Sequence, residues 1–96
     1  MAGDRNRDQV RTVPRSIEQI MSSKSFALGV ADRRRGVPPQ FHRELPDEGD
    51  EDEWDYERGR LFASIAPASM PRRIGRQLNP KAVALCRSAF NRGYIR

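Results

Sequence analysis

Apolar residues return at helical spacing in three stretches of this chain, separated by Pro-, Gly- and acid-rich segments that cannot continue a helix. In the central stretch, Trp54, Leu61, Phe62 and Ile65 fall at i, i+7, i+8 and i+11. They predict one apolar face, with Glu57, Arg58 and Arg60 as polar surface beside it. Asp50 or Asp52 supplies a cap, the carboxylates ahead complement the positive end of the helix dipole, and Pro67 stops the helix after Ala66. The same stripe predicts Trp54 as a core anchor. Ser16 with Gln19 fits a capping box, and Ile17, Ile20, Met21, Ala27 or Leu28, and Ala31 follow at helical spacing, so a first helix belongs here. The run SSKS from Ser22 to Ser25 is poor helix material and predicts a break, with a restart at Phe26 that runs through Arg35. Gly36 and then Val37-Pro38-Pro39 end it. Asn79-Pro80 opens the last helix, over KAVALCRSAFNRGY, in which Val83, Cys86, Phe90 and Tyr94 share a face that Leu85 and Ala89 widen.

Between these helices lie two connectors. Gln40 to Asp52, QFHRELPDEGDED, is a polar, acidic loop around an isolated Phe41. Its carboxylates do not have EF-hand spacing, because after Asp50 and Asp52 the position that needs Gly for the sharp turn holds Asp55. The second connector, ASMPRRIGRQL, is punctuated by Pro71 and Gly75 and crowded with Arg72, Arg73 and Arg76. Residues 1–14, with three Arg, two Asp and two isolated valines, have no periodicity and read as a flexible basic tail. Residues 15–96 then form a single small helical domain. The fold class predicted is all-α, a small bundle of about three short helices with a flexible N-terminal tail and an acidic loop.

Composition limits the core and points at its surroundings. With 96 residues, 36% of them apolar, and a mean hydropathy of -0.82, one thin core is all the chain can bury. The formal charge of +5 hides an asymmetry, since eight of the thirteen acids lie between Glu44 and Asp55. Outside that segment eighteen basic residues face five acidic ones, a balance of +13, and sixteen of the eighteen are Arg. Arg suits planar, bidentate phosphate recognition and stacking better than Lys, although a bias in codon usage produces the same count. Cys86 is the only cysteine, so no intramolecular disulfide forms and a reducing compartment is expected. No stretch reaches the roughly 18 to 20 apolar residues of a membrane span, and the first twenty residues lack the apolar core of a signal peptide. The chain therefore reads as soluble and cytoplasmic.

An aromatic followed three residues later by Gly occurs three times: Phe26 with Gly29, Tyr56 with Gly59, and Phe90 with Gly93. Residues i and i+3 share a helix face, so a ring beside a missing side chain lets another backbone come close. That backbone belongs either to a neighbouring helix or to an RNA strand whose base stacks on the ring or on an adjacent Arg.

FALGVADRRRG followed by Pro38-Pro39, and the later YERGRLFA, resemble the two helix motifs of the ribosome modulation factor family, small basic bacterial proteins that occupy ribosomes when growth stops. Gly29 and Gly36, seven apart, match the first motif, and Trp54, Tyr56, Gly59 and Arg60 the second. The similarity runs from about Phe26 to Ala63. The chain differs from the family in its acidic loop, in Pro-Pro where Cys-Pro-Tyr is usual, and in its last helix. The resemblance implies a bacterial, ribosome-associated protein that contacts rRNA.

The basic residues themselves form clusters. Arg33, Arg34 and Arg35 close the first helical stretch against its negative dipole end, Arg72, Arg73 and Arg76 crowd the second connector, and Arg58, Arg60, Arg92 and Arg96 add to one phosphate-tracking surface. The leading expectation is a non-enzymatic RNA- or ribosome-binding factor, of the ribosome-modulation (hibernation) type that the resemblance implies. The alternative is a protein-binding adaptor or inhibitor of phage or plasmid type, in which Asp47, Glu48, Asp50, Glu51, Asp52 and Glu53 mimic nucleic acid for a basic partner. Enzymatic signals are weak: His42 is the sole histidine, no Gly-rich phosphate loop occurs, and Cys86 lies on an apolar helix face as a packed thiol. Neither a zinc-spaced ligand set nor a Mg²⁺ site with an aligned substrate is apparent, so no metal, cofactor, membrane or small-molecule substrate is expected.

Overall fold

A computed structural model of the protein describes residues 15–39 and 52–96, with Asp52 described in its backbone alone. Four helices and one two-stranded hairpin follow in order: α1 (Ile17–Ser22), α2 (Lys24–Arg34), α3 (Asp52–Ile65), β1 (Arg73–Ile74), β2 (Gln77–Leu78) and α4 (Pro80–Asn91). The fold is a small all-α bundle. The tail, residues 1–14, and most of the acidic loop, including Asp47, Glu48, Asp50 and Glu51, lie outside the described residues.

Local chemistry sets most helix boundaries. Ser16 and Gln19 form the reciprocal capping box, each side chain bonded to the other's backbone N–H at 3.0 and 2.8 Å. Ser23 closes α1 and, with its hydroxyl accepting from the Phe26 N–H at 3.1 Å, opens α2. The SSKS run thus breaks the helix as predicted, with the restart at Lys24, two residues ahead of Phe26. Gly36 leaves α2 at φ 75°, a conformation that costs a side-chain-bearing residue about 1 kcal/mol. Asn79 caps α4 by accepting from the Lys81 N–H at 3.0 Å, with Pro80 at the first helical position. The second connector is more ordered than its Pro and Gly content predicts. Arg73 pairs with Leu78 and Ile74 with Gln77 around Gly75, whose φ of 64° lets so short a hairpin turn.

The pair α2·α3 organises the core. At their crossing, a Cβ placed on Gly29 would overlap the Tyr56 carbonyl oxygen and stand 3.0 Å from the Arg60 nitrogen; one on Gly59 would overlap the Phe26 carbonyl oxygen and stand 2.9 Å from its carbon. The exchange is reciprocal: each aromatic-x-x-Gly motif presents its backbone to the other's glycine. Flanking the crossing, the Phe26 and Phe62 rings meet at 5.8 Å between centroids, tilted 45°, and the Tyr56 hydroxyl donates to Asp32 Oδ2 at 2.7 Å. Two of the three motifs therefore serve helix packing. The third differs, since Gly93 at φ 78° reverses the chain after α4. Ile95 then enters the core, almost fully buried, with the Tyr94 and Ile95 N–H groups on the Ala89 carbonyl.

Around this crossing pack Ile20 and Met21 of α1, Val30 of α2, Ala66, and Ala82, Cys86 and Ala89 of α4. Several predicted core positions change. Ala27, Leu28 and Ala31 are only half-buried, because the break at Ser23 rephases α2 and turns Ser25, Phe26, Gly29, Val30 and Asp32 inward. Tyr94 lies beyond the end of α4 and is 46% exposed. The largest correction is Trp54, which is 55% exposed. At 100° per residue, Trp54, Leu61 and Ile65 do form a stripe, yet it points about 120° away from the face made by Asp55, Tyr56, Gly59, Phe62 and Ala66. Tyr56 and Phe62, not Trp54, are the buried aromatics of that helix.

Candidate nucleic-acid interface

The Trp54 stripe meets the C-terminal segment. Trp54, Glu57, Arg58 and Leu61, at i, i+3, i+4 and i+7 of α3, line a shallow cavity of about 190 Å³ together with Tyr94 and Arg96. Arg58 and Tyr94 are held in place by bonds to the rest of the chain. Arg58 sits with its guanidinium carbon 5.7 Å from the Trp54 ring centre and 6.0 Å from that of Phe90. It donates to Asp55 Oδ1 at 2.9 Å and to the Arg96 carbonyl at 2.8 Å. Asp55 is 2% exposed and also receives Arg15 at 2.6 Å. Although it stands at the end of the acidic run, this carboxylate is buried structure and not solvated surface. Tyr94 is fixed by a 2.8 Å hydrogen bond between its hydroxyl and that of Ser64. The result is two half-exposed rings on a rigid frame, a geometry that can stack a planar group without ordering cost at the moment of binding.

Among the predicted arginines, six are engaged within the chain. Arg34 donates to the Met70 carbonyl at 2.7 Å, which ties the end of α2 to the second connector. Arg35 pairs with the buried Asp32 at 2.7 Å while remaining largely exposed. Arg60 donates to the Val37 carbonyl at 2.8 Å and lies 5.9 Å from the Tyr56 ring centre. Arg72 reaches the Met21 carbonyl at 2.7 Å, and its pKa is lowered by burial and then by the neighbouring charge of Arg73. Arg73 caps the hairpin through the Arg76 carbonyl at 2.8 Å, and Arg58 is described above. Arg33, Arg76 and Arg92 are exposed, with no side-chain acceptor among the described residues. Through Arg34, the structure brings the α2 terminus and the connector carrying Arg72, Arg73 and Arg76 into contact. Of the acidic candidates, Glu53 is exposed and Asp52 is the first residue of α3. Sequence reasoning missed Tyr94 and Glu57 as site residues, and it expected Arg96 on the basic face without its place beside α3, since the reversal at Gly93 alone brings Tyr94 and Arg96 there.

A wider groove of about 540 Å³ lies between Pro67, Met70, Ile74 and Pro80, and Lys81 is its only charged lining residue. Cys86 is fully buried, and desolvation pushes its thiol from 9.0 up to about 12 despite the opposing pull of Arg87 and Arg58. A native thiol that holds its proton this far is a poor nucleophile. Iodoacetamide at pH 8 should leave Cys86 unmodified until denaturant is added; rapid native alkylation would show that it is accessible. Because the folded thiol binds its proton more tightly than the unfolded one, its contribution to stability is present below pH 9 and is lost as pH rises toward 12. Among the described residues no three His, Cys, Asp or Glu gather closely enough to hold a metal ion, and no helix is long and apolar enough to cross a membrane. A scan against family models matches none, and comparisons with curated proteins and with solved structures find no match.

Proposed function

We propose that this protein is a non-enzymatic RNA-binding factor that holds phosphate with arginine and stacks bases on the Trp54 and Tyr94 rings. The observation that carries the reading is the exposure of those two rings on a rigid, guanidinium-bordered cavity in a chain whose charge is +5. Arg33, Arg76 and Arg92, without intramolecular acceptors among the described residues, supply cations for the backbone. The resemblance of Phe26 to Ala63 to ribosome modulation factor makes rRNA on the bacterial ribosome the favoured target. Gly29 and Gly59 contribute through the fold alone in this reading, since both are closed by the helix crossing.

The test uses single-stranded RNA and rRNA with the intact chain. Binding should show a log-log salt slope of about -3 to -5, as four to six neutralised phosphates require. Trp54→Ala should leave the melting curve nearly unchanged and weaken binding by about 1 to 3 kcal/mol, the value of one base stacked on an aromatic ring. The single tryptophan also reports its own position, with a red-shifted native emission that moves on adding RNA. A flat salt response with no binding to rRNA at low salt removes the proposal. So does an unaltered affinity after Trp54→Ala, for the stacking site.

A further inference from the structure

The cavity that carries the RNA reading holds one group that phosphate binding does not use. Glu57 lines it together with Trp54, Tyr94 and Arg96, half-buried and with no hydrogen-bond or ion-pair partner among the described residues. Its neighbours on α3 are spoken for. Arg58 turns to Asp55 and the Arg96 carbonyl, and Arg60 turns to the Val37 carbonyl. A carboxylate left unpaired beside aromatic faces repels phosphate, so a merely cationic RNA groove gains nothing from it. An ionised carboxylate only accepts hydrogen bonds, and its two oxygens lie side by side. The planar ligand that satisfies both must present two adjacent donors on one edge. Adenine and cytosine each offer an amino group next to a ring-nitrogen acceptor, and uracil offers one imino N–H between two carbonyls. Guanine alone presents N1–H beside its N2 amino group.

Resting on the RNA reading above, we infer that the Trp54–Tyr94 cavity is selective for an unpaired guanine, stacked on Trp54 and read on its Watson–Crick edge by Glu57. The stacking energy is shared by every base, whereas the two N–H···O bonds belong to guanine alone, so the carboxylate sets identity and the ring sets affinity. The requirement for a free Watson–Crick edge restricts the site to single-stranded loops, bulges or ends.

Fluorescence anisotropy of labelled pentamers, UUGUU, UUAUU, UUCUU and UUUUU, tests this with the full chain at low salt. UUGUU should bind about tenfold more tightly than the others, within the span of one bidentate base contact. Glu57→Gln, whose amide offers one acceptor and turns a donor toward the base, should abolish that preference while the other three affinities stay level or rise. Its melting curve should match wild type. Equal affinities for all four pentamers, a preference for another base, or a guanine preference that survives Glu57→Gln each overturn the inference and leave RNA binding standing. No binding of any pentamer or of rRNA overturns both readings together.

Discussion

Gly59→Ala and Gly29→Ala should each destabilise the protein by about 3 kcal/mol, lowering Tm by roughly 15 °C for a domain of this size. In an ordinary helix interior the same change stabilises by about 1 kcal/mol, so the sign of the effect is itself diagnostic. What reverses it is the identity of the neighbour. The new methyl meets a backbone carbonyl of the facing helix, Phe26 from Gly59 and Tyr56 from Gly29, and a backbone cannot rotate away as a side chain can. The helices must separate, which loosens the Phe26–Phe62 ring contact and the Tyr56–Asp32 hydrogen bond together. Gly75→Ala is the control: nothing lies within 4 Å of its Cβ position, and only its positive φ opposes the change, at about 1 kcal/mol. The double substitution of Gly29 and Gly59 should cost less than the sum, because the first methyl already opens the crossing for the second. Melting curves for the four variants that place Gly29→Ala and Gly59→Ala level with Gly75→Ala would mean the crossing is looser than described.

Asp55→Ala should cost about 3 kcal/mol, at the low end for breaking a buried ion pair. The carboxylate is 2% exposed and serves Arg58, whose side chain is 14% exposed, and Arg15, at 34%. Both cations keep some contact with water, and Arg58 keeps the Arg96 carbonyl, which is why the larger values for a fully enclosed pair do not apply. The loss should be read in urea as a lower midpoint at unchanged slope. Trp54 emission should shift as well, since Asp55 holds the guanidinium that lies against that ring. A cost below about 0.5 kcal/mol, typical of exposed pairs, would show that solvent reaches Asp55 freely.

The candidate interface was partly legible in the sequence. The Arg-rich surface and the crowding of aromatics near residue 54 stand out along the chain, and so do the paired aromatic-Gly motifs. The function of each arginine does not, because guanidinium groups that bond carbonyls of distant segments are indistinguishable in sequence from those that face solvent. Arg34 on Met70 and Arg72 on Met21 join residues far apart in the chain. Of the predicted arginines from Arg33 to Arg92, only Arg33, Arg76 and Arg92 emerge as exposed cations without an acceptor among the described residues, and nothing in their sequence neighbourhoods separates them from the rest.

By itself the sequence determined what depends on neighbours within about four residues: the capping box at Ser16, the break at Ser23, the stop at Gly36 and Pro67, and the Asn79-Pro80 start. Such features are backbone hydrogen bonding and dihedral preference, and they are fixed before any helix meets another. The tertiary structure decided which face of each helix is inside. In α3 two stripes of comparable apolar character compete, one with Trp54, Leu61 and Ile65 and one with Tyr56 and Phe62, which Ala66 continues just past the helix end. Gly59 lies on the second, where the backbone of α2 can come closest. That approach, and not hydrophobicity, places Tyr56 and even Asp32 and Asp55 in the interior and leaves the more apolar Trp54 at the surface. A period read along one chain gives the existence of a face; its direction is set by the partner helix that packs against it.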